Sequence, residues 1–172
     1  SNISACAPSN GGAGSRVITS TSVLGRGNLA GGAFTSQFTG TSAAAAAIGG
    51  VIALGREANP LMAIRMAKHL LVLTSVDIDE DDRSPSSDGG WRANGAGYTF
   101  NPNYGHGLVD AAAFVEMASR VESVSDIELH TQTLTPNRQI PDNNTTGLRT
   151  TFQVADDLPL EDVLIRLQIT HP

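Results

Sequence analysis

Ser42, the last residue of the triplet Gly40-Thr41-Ser42, is the side chain in this sequence best placed for nucleophilic chemistry. It opens an uncharged, alanine-rich run over residues 42–54, which predicts a helix. A serine in the first helical turn lies beside backbone N–H groups without helical partners, at the positive end of the helix dipole. If the Ser42 hydroxyl attacked a substrate carbonyl, the Ser42 N–H could stabilise the oxyanion, and Gly40 would leave room for the substrate. The alternative is that Thr41 or Ser42 only caps the helix, which is the commoner role of these residue types.

A second candidate site is the acidic run of residues 77–82, within a polar loop. Asp77, Asp79 and Asp81 alternate along this run, and carboxylate oxygens are ligands that Ca²⁺ prefers. The run lacks the glycine and the distant glutamate of an EF-hand loop. We therefore favour a solvated acidic loop, with a Ca²⁺ site at these three residues as the alternative.

Composition argues against several classes of partner. The 172 residues include 17 acidic and 11 basic side chains, and a net charge of −6 argues against nucleic acid or an anionic membrane as the main partner. The alanine-rich run is too short to cross a bilayer, which takes ~20 apolar residues, so no transmembrane segment is predicted. The single cysteine, Cys6, excludes a disulfide within the chain and a zinc site built from several cysteines. The chain opens on Ser1 without a signal-peptide pattern and closes within a predicted strand, so we expect a fragment.

Three helices are predicted to position the candidate serine. Glycine is a poor helix former, costing about 1 kcal/mol relative to alanine, so we expect close packing to compensate at Gly49 and Gly50. The small residues of the first helix suit burial on most sides in an intact domain. The other two helices are predicted over residues 61–74, after the start signal Asn59-Pro60, and over residues 111–117, after the N-cap Asp110.

Extended structure is predicted on both sides of the helices. A short strand is expected at residues 16–21, among glycine-rich loops. After Val121 the pattern becomes that of strands, at residues 152–154 and 163–169, with turn signals between them. This change predicts a domain boundary near residues 122–128.

Four sequence blocks, in order, resemble one protease family. The run FTGTSAAAAAIGGVIALGREANP resembles the nucleophile segment of subtilisin-like serine proteases (peptidase S8), and MAKHLLVLTS resembles the helix that follows it. The block WRANGAGYTFNPNYGHGLVDAAAFV is similar to the end of the catalytic domain in the kexin/furin branch. The stretch from residue 140 to ITHP resembles the start of the P (Homo B) domain, a β-sandwich.

This resemblance implies an α/β fold: the C-terminal part of a subtilisin-like parallel-sheet domain over residues 1–122, then the first strands of a β-sandwich P domain over 128–172. It implies that Ser42 is the nucleophile, with Gly40 and Thr41 forming the oxyanion and substrate approach. The implied substrates are proteins or peptides, with a preference for cleavage after basic residues. The implied location is extracellular or within the secretory pathway, where subtilases often bind Ca²⁺.

Subtilisin-type triads run Asp, His, Ser along the chain. Only 41 residues precede Ser42, and the four histidines all follow it: His69, His106, His130 and His171. We therefore expect the base and its aspartate in the remainder of the catalytic domain upstream. This chain alone should not hydrolyse peptides, and without most of the sheet much of its first helix should be exposed.

One departure from the family motif lies close to Ser42. Ala46 occupies the position where the family has proline, and we expect the helix to form with either residue. The alternative to an enzyme is a non-catalytic, subtilase-like binding module. We assign His69 and His106 to packing and turn structure, and Trp91 to the packing of the closing turn.

Overall fold

The computed structural model describes residues 4–9, 18–22, 32–83, 90–153, 161 and 163–170. The chain divides into two compact units, Ser1–Ser125 and Asp126–Pro172. Their assignment to a catalytic domain and a P domain stays a prediction.

The described residues of the first unit form three helices and four short strands. The strands form two antiparallel pairs, β1 with β2 and β3 with β4. In chain order the elements are β1 (Ile18–Thr21), β2 (Phe34–Phe38), α1 (Gly40–Ala58), α2 (Ile64–Thr74), β3 (Arg92–Ala93), β4 (Thr99–Phe100) and α3 (Ala111–Ala118). The predicted strand at residues 16–21 is confirmed from Ile18 onward, while residues 16 and 17 lie outside the described part of the chain.

The expected parallel sheet is reduced to one bridge in the residues described. Leu108 pairs in parallel with Cys6 on one side and antiparallel with Val76 on the other. A parallel pair of strands needs a crossover connection, usually a helix, and no described helix separates β1 from β2 or β3 from β4. The helices and strands are mixed as in an α/β domain, but the extended parallel sheet is not formed here.

Helix α1 is longer than predicted and mostly exposed. It runs from Gly40 to Ala58, and only Ala43 and Gly55 are buried. Leu54 is 51% exposed, which agrees with the expectation that this chain leaves the helix uncovered. The prediction of close packing at Gly49 and Gly50 is wrong for the described residues, because a Cβ at either position would meet nothing within 4 Å.

Gly55 is the closely packed glycine of α1, and no local sequence pattern distinguishes it from the other glycines of the helix. A Cβ at Gly55 would lie 2.4 Å from Cε1 of Phe114 and 3.2 Å from Cε of Met62. Phe114 of α3 is fully buried, so α3 approaches α1 as closely as the missing side chain allows. The core of the unit comprises Met62, Met66, Ala67, Leu70, Leu71, Phe114 and Ala118.

The predicted start of the second helix is wrong by three residues. Asn59 ends α1, since its N–H bonds to the Gly55 carbonyl at 2.8 Å, and α2 begins only at Ile64. The Asn59 Oδ1 accepts the N–H of Leu61 at 3.1 Å, which holds a turn between the helices. Its Nδ2 donates to the carbonyls of Ala118 and Val121, so the asparagine joins this turn to the end of α3 instead of starting α2.

The start of α3 is confirmed. The Asp110 Oδ1 accepts the backbone N–H of Ala113 at 2.9 Å, which is the hydrogen bond of an N-cap. The helix ends at Ala118, one residue beyond the predicted end.

The second unit contains no helix or strand in its described residues, and each of these residues is exposed. The strands predicted at residues 152–154 and 163–169 are therefore not formed at 152–153 or 163–169, and residue 154 lies outside the description. A strand is stabilised by a paired neighbour and a buried apolar face, and this stretch provides neither. The β-sandwich stays a prediction.

None of the helices described here combines the length and the apolar character that a membrane span requires.

Candidate active site

The connection between β2 and α1 brings Ser42 to the surface. β2 ends at Phe38, Thr39 remains extended (φ −143°, ψ −178°), and Gly40 turns the chain with φ +77°. That φ lies in the left-handed region, which glycine adopts at little cost. The turn places Ser42 in the first turn of α1, three residues after the N-cap Thr39.

The Ser42 side chain is exposed, and it makes no hydrogen bond within the described part of the chain. Neither Thr41 nor Ser42 caps the helix, because Thr39 occupies the N-cap position and makes no side-chain capping bond. The Ser42 N–H belongs to the first four helical N–H groups, which have no acceptor within the helix. An exposed hydroxyl therefore stands beside donors that face outward at the helix start.

The two residues before Ser42 are also accessible. Gly40 and Thr41 are exposed, and a Cβ at Gly40 would meet nothing within 4 Å. The Gly40 carbonyl accepts a hydrogen bond from the Ser9 hydroxyl at 2.9 Å. The approach to Ser42 is thus open on the Gly40 side.

The histidines that lie among the described residues serve other structures, and no hydrogen bond joins one of them to Ser42. His69 is half-buried within α2. The Nδ1 of His106 lies 2.6 Å from the Thr99 carbonyl, and its ring meets Phe100 edge-on at 5.4 Å, so a structural role in this turn is confirmed. His130 pairs with Glu128 at 3.6 Å in the second unit, and His171 lies outside the description.

The acidic run is fastened to the segment around β4 by side-chain hydrogen bonds. The Asp77 carboxylate accepts the hydroxyl of Thr99 at 2.9 Å, and Asp79 Oδ2 accepts that of Tyr104 at 2.9 Å. The hydrogen bond to Asp79, with a smaller contribution from desolvation, raises the pKa of Tyr104 because it favours the protonated phenol. A cavity of about 400 Å³ lies beside this network, and Ser42 is not part of its lining.

Asp82 is buried, and its place within the acidic run does not distinguish it from its neighbours in the sequence. Its Oδ2 accepts the amide N–H groups of Asn101 and Asn103, both at 3.1 Å. Trp91 closes the same region as predicted, because its Nε1 donates to the Ile78 carbonyl at 3.1 Å and its ring stacks on Tyr104. A signal was available in the closely spaced polar side chains of Asn101, Asn103 and Tyr104, since polar groups are hydrogen bonded when buried.

The residue types around Ser42 and their order along the chain match a known family. The sequence model of the Subtilase family matches residues 3–112, which is more than half of the chain. The chain belongs to the subtilase family. The match includes Ser42 and the whole of α1 and α2.

This subtilase chain is similar to larger proteins from animals. It is 34% identical over 149 residues to the proprotein convertase subtilisin/kexin type 5 of Rattus norvegicus, covering 80% of this chain and 8% of that protein. It is 37% identical over 145 residues to the type 6 convertase of the same organism, covering 80% of this chain and 15% of that protein. The crystal structure of a serine protease of Aeromonas sobria is 28% identical, covers 55% of this chain and 18% of that one, and has a TM-score of 0.49. The chain thus spans less than a sixth of the length of either convertase.

The departure from the subtilase motif at Ala46 leaves the helix intact. Ala46 is exposed, and α1 continues without a break to Ala58. The expectation that the helix forms with alanine at this position is therefore confirmed.

The Ca²⁺ candidates are not brought together as ligands. Asp77, Asp79 and Asp81 are exposed, and within the described ranges no three acidic, histidine or cysteine side chains group as a metal site would require. Asp77 and Asp79 instead accept hydroxyl hydrogen bonds, as described above. Among the described residues these positions do not fit a Ca²⁺ site, and Ca²⁺ binding by the intact protein stays a prediction.

Proposed function

We propose that the protein is a secreted serine endopeptidase in which Ser42 is the nucleophile. In this proposal residues 1–122 form the C-terminal part of its catalytic domain and residues 128–172 begin a P domain. The observation that carries the proposal is the glycine turn of a subtilase chain, which presents an exposed, unbonded serine hydroxyl at the N-terminus of a 19-residue helix.

The proposed chemistry begins with attack of Ser42 Oγ on the carbonyl carbon of a peptide bond. The negative charge that develops on the carbonyl oxygen is stabilised by the Ser42 N–H and by the helix dipole. The open space beside Gly40 admits the substrate chain. The general base takes the proton from Ser42 Oγ and gives it to the leaving amine, and water then hydrolyses the acyl-enzyme, which releases the carboxylic acid and restores the Ser42 hydroxyl.

The general base belongs, in this proposal, to a segment of the protein that precedes Ser1. Without a base the Ser42 hydroxyl keeps its proton and is a poor nucleophile. The described histidines support this division, because His106 and His130 are engaged elsewhere and His69 lies within α2. The catalytic centre would then be assembled from two parts of one protein.

The proposed substrates are proteins or peptides cleaved after basic residues. Two convertases of the rat, whose names state that they convert proproteins, support this class by their 34% and 37% identity to the chain. The net charge of −6 has the sign that attracts basic substrates at long range. The proposed location, in the secretory pathway or outside the cell, rests on the resemblance to the kexin/furin branch.

The test uses a fluorophosphonate probe on the protein expressed from its complete reading frame. We expect a covalent adduct on the peptide that contains Ser42, and peptidase activity that falls roughly 10³-fold or more in Ser42→Ala. Ser119→Ala, which removes an exposed hydroxyl at the end of α3, should leave both unchanged. A folded protein that forms no adduct at Ser42 would contradict the enzyme and favour the binding module.

A further inference from the structure

One side chain from a distant segment contacts the turn that carries Ser42. The Ser9 hydroxyl donates to the Gly40 carbonyl at 2.9 Å across 31 residues of sequence. Across the described part of the chain, no other side chain hydrogen bonds to Gly40, Thr41 or Ser42. Ser9 is half-buried as a residue, while the hydrogen bond itself lies at the exposed surface of the turn.

The segment that carries Ser9 is itself anchored. The Cys6 N–H donates to the Gly107 carbonyl at 2.8 Å, and the Val109 N–H donates to the Cys6 carbonyl at 2.9 Å. A further bond joins the His106 N–H to the Ser4 carbonyl at 3.1 Å. Ser9 therefore stands three residues beyond a backbone pairing, which limits how far its hydroxyl can move.

The glycine that Ser9 holds is the most permissive residue of the turn. Gly40 has φ +77°, and glycine populates other conformations almost as readily. The peptide unit is planar, so the direction of the Gly40 carbonyl also fixes the direction of the Thr41 N–H. A hydrogen bond to that carbonyl consequently restricts the orientation of the first helical turn.

We infer that Ser9 is a positioning residue for Ser42, acting through the Gly40 carbonyl. The effect of Ser9 on the turn does not depend on the proposed function, whereas its effect on catalysis rests on that function. The hydrogen bond narrows the orientations of the turn and so keeps the Ser42 hydroxyl and N–H where the carbonyl group must bind. Loss of the Ser9 hydroxyl leaves the Gly40 carbonyl its helical hydrogen bond but frees the turn to reorient.

The kinetic test compares three variants in the protein expressed from its complete reading frame. With active sites counted by fluorophosphonate titration, Ser9→Ala should lower kcat per active site roughly 3- to 10-fold, the worth of one hydrogen bond, and change KM less than about twofold. Ser9→Thr retains a hydroxyl and should recover most of the loss. Ser4→Ala removes a hydroxyl from the same anchored segment and should behave as wild type. A variant that were merely less stable would lose active sites instead of turnover per site.

Hydrogen exchange provides the measurement that does not depend on catalysis. Amides of residues 43–45, the first with acceptors inside the helix, should exchange roughly 3- to 10-fold faster in Ser9→Ala than in wild type, and at the wild-type rate in Ser4→Ala. Unchanged exchange and unchanged kcat in Ser9→Ala would overturn the inference while labelling of Ser42 still supports the enzyme. If Ser42 of the wild type is not labelled, the proposed function fails, and exchange alone decides whether Ser9 holds the turn.

Discussion

The two ends of helix α1 differ in almost every physical respect. At the C-terminal end, Gly55 is buried against Phe114, and Asn59 is hydrogen bonded to the carbonyls that end α3. At the N-terminal end, Gly40 and Ser42 are exposed, and among the described residues one side-chain hydrogen bond from another segment, that of Ser9, reaches the turn.

One end of α1 therefore fixes the position of the helix, and the other end carries the residue proposed for the chemistry. Apolar packing and backbone pairing at one end set the direction of the helix axis, and the rigid helix transmits that direction about 28 Å, at 1.5 Å per residue, to the other end. The end that carries Ser42 can then stay accessible. A reactive group needs solvent and substrate access, whereas a fixed axis needs burial, and one long helix satisfies both demands.

The glycines of α1 provide the strongest test of this comparison. Gly55→Ala should lower the free energy of unfolding by about 1–3 kcal/mol, because the new methyl group would overlap the Phe114 ring. Gly49→Ala is the matched control: the added methyl group meets nothing within 4 Å and improves helix propensity, which should stabilise the protein by up to about 1 kcal/mol. Urea unfolding of both variants in the 172-residue chain, in which Gly49 is exposed, measures the difference.

Equal effects at the two positions would break the comparison. If Gly49→Ala were as destabilising as Gly55→Ala, the exposed face of α1 would have to be covered by another segment of the protein. If both were stabilising, the close approach of α3 to Gly55 would be wrong.

Asn59 provides a second test of the packed, C-terminal end of α1. Asn59→Ala should destabilise the protein by about 1–2 kcal/mol, because the carbonyls of Ala118 and Val121 lose their amide donor in a partly buried place. Asn94→Ala is the control, since Asn94 makes a similar turn with the N–H of Ala96 but is exposed. Its effect should stay within about 0.5 kcal/mol. Thermal unfolding of the two variants measures this difference in stability. A larger loss of stability in Asn94→Ala than in Asn59→Ala would contradict the anchoring role of Asn59.

The sequence predicted the parts of the fold that depend on local chemistry. The apolar spacing of α2 and the aspartate before α3 indicated helices that the structure confirms, because periodicity and capping act within a few residues. The predicted start of α2 was wrong because of tertiary contacts. Asn59 donates hydrogen bonds to carbonyls 59 and 62 residues away, which no local pattern reveals. Close packing was predicted at Gly49 and Gly50, but the close contact is between Gly55 and α3. Which face of α1 is packed depends on the position of α3, which the local sequence does not reveal.

The candidate site likewise contains one residue that local sequence predicts and one that it does not. The position of Ser42 in the first turn of a helix follows from the triplet and the alanine run, and the structure places it there. Ser9 could not be found in this manner, because its contact with Gly40 spans 31 residues and depends on tertiary structure. The strands predicted after residue 150 were expected from alternation alone, and alternation does not supply the neighbouring strands that stabilise a sheet.

The smallest expected effect concerns the open end, at Gly40. Gly40→Ala adds a methyl group that meets nothing within 4 Å, so any loss must come from the backbone, and φ +77° costs a non-glycine residue about 1 kcal/mol. Gly40→Asn should lose less, because asparagine tolerates the left-handed region better than alanine. Urea unfolding should therefore rank wild type above Gly40→Asn and Gly40→Ala last. Stabilisation by Gly40→Ala, as expected for Gly49→Ala, would mean that the turn does not hold a left-handed glycine, and the open end of α1 would then owe its shape to ordinary helix formation.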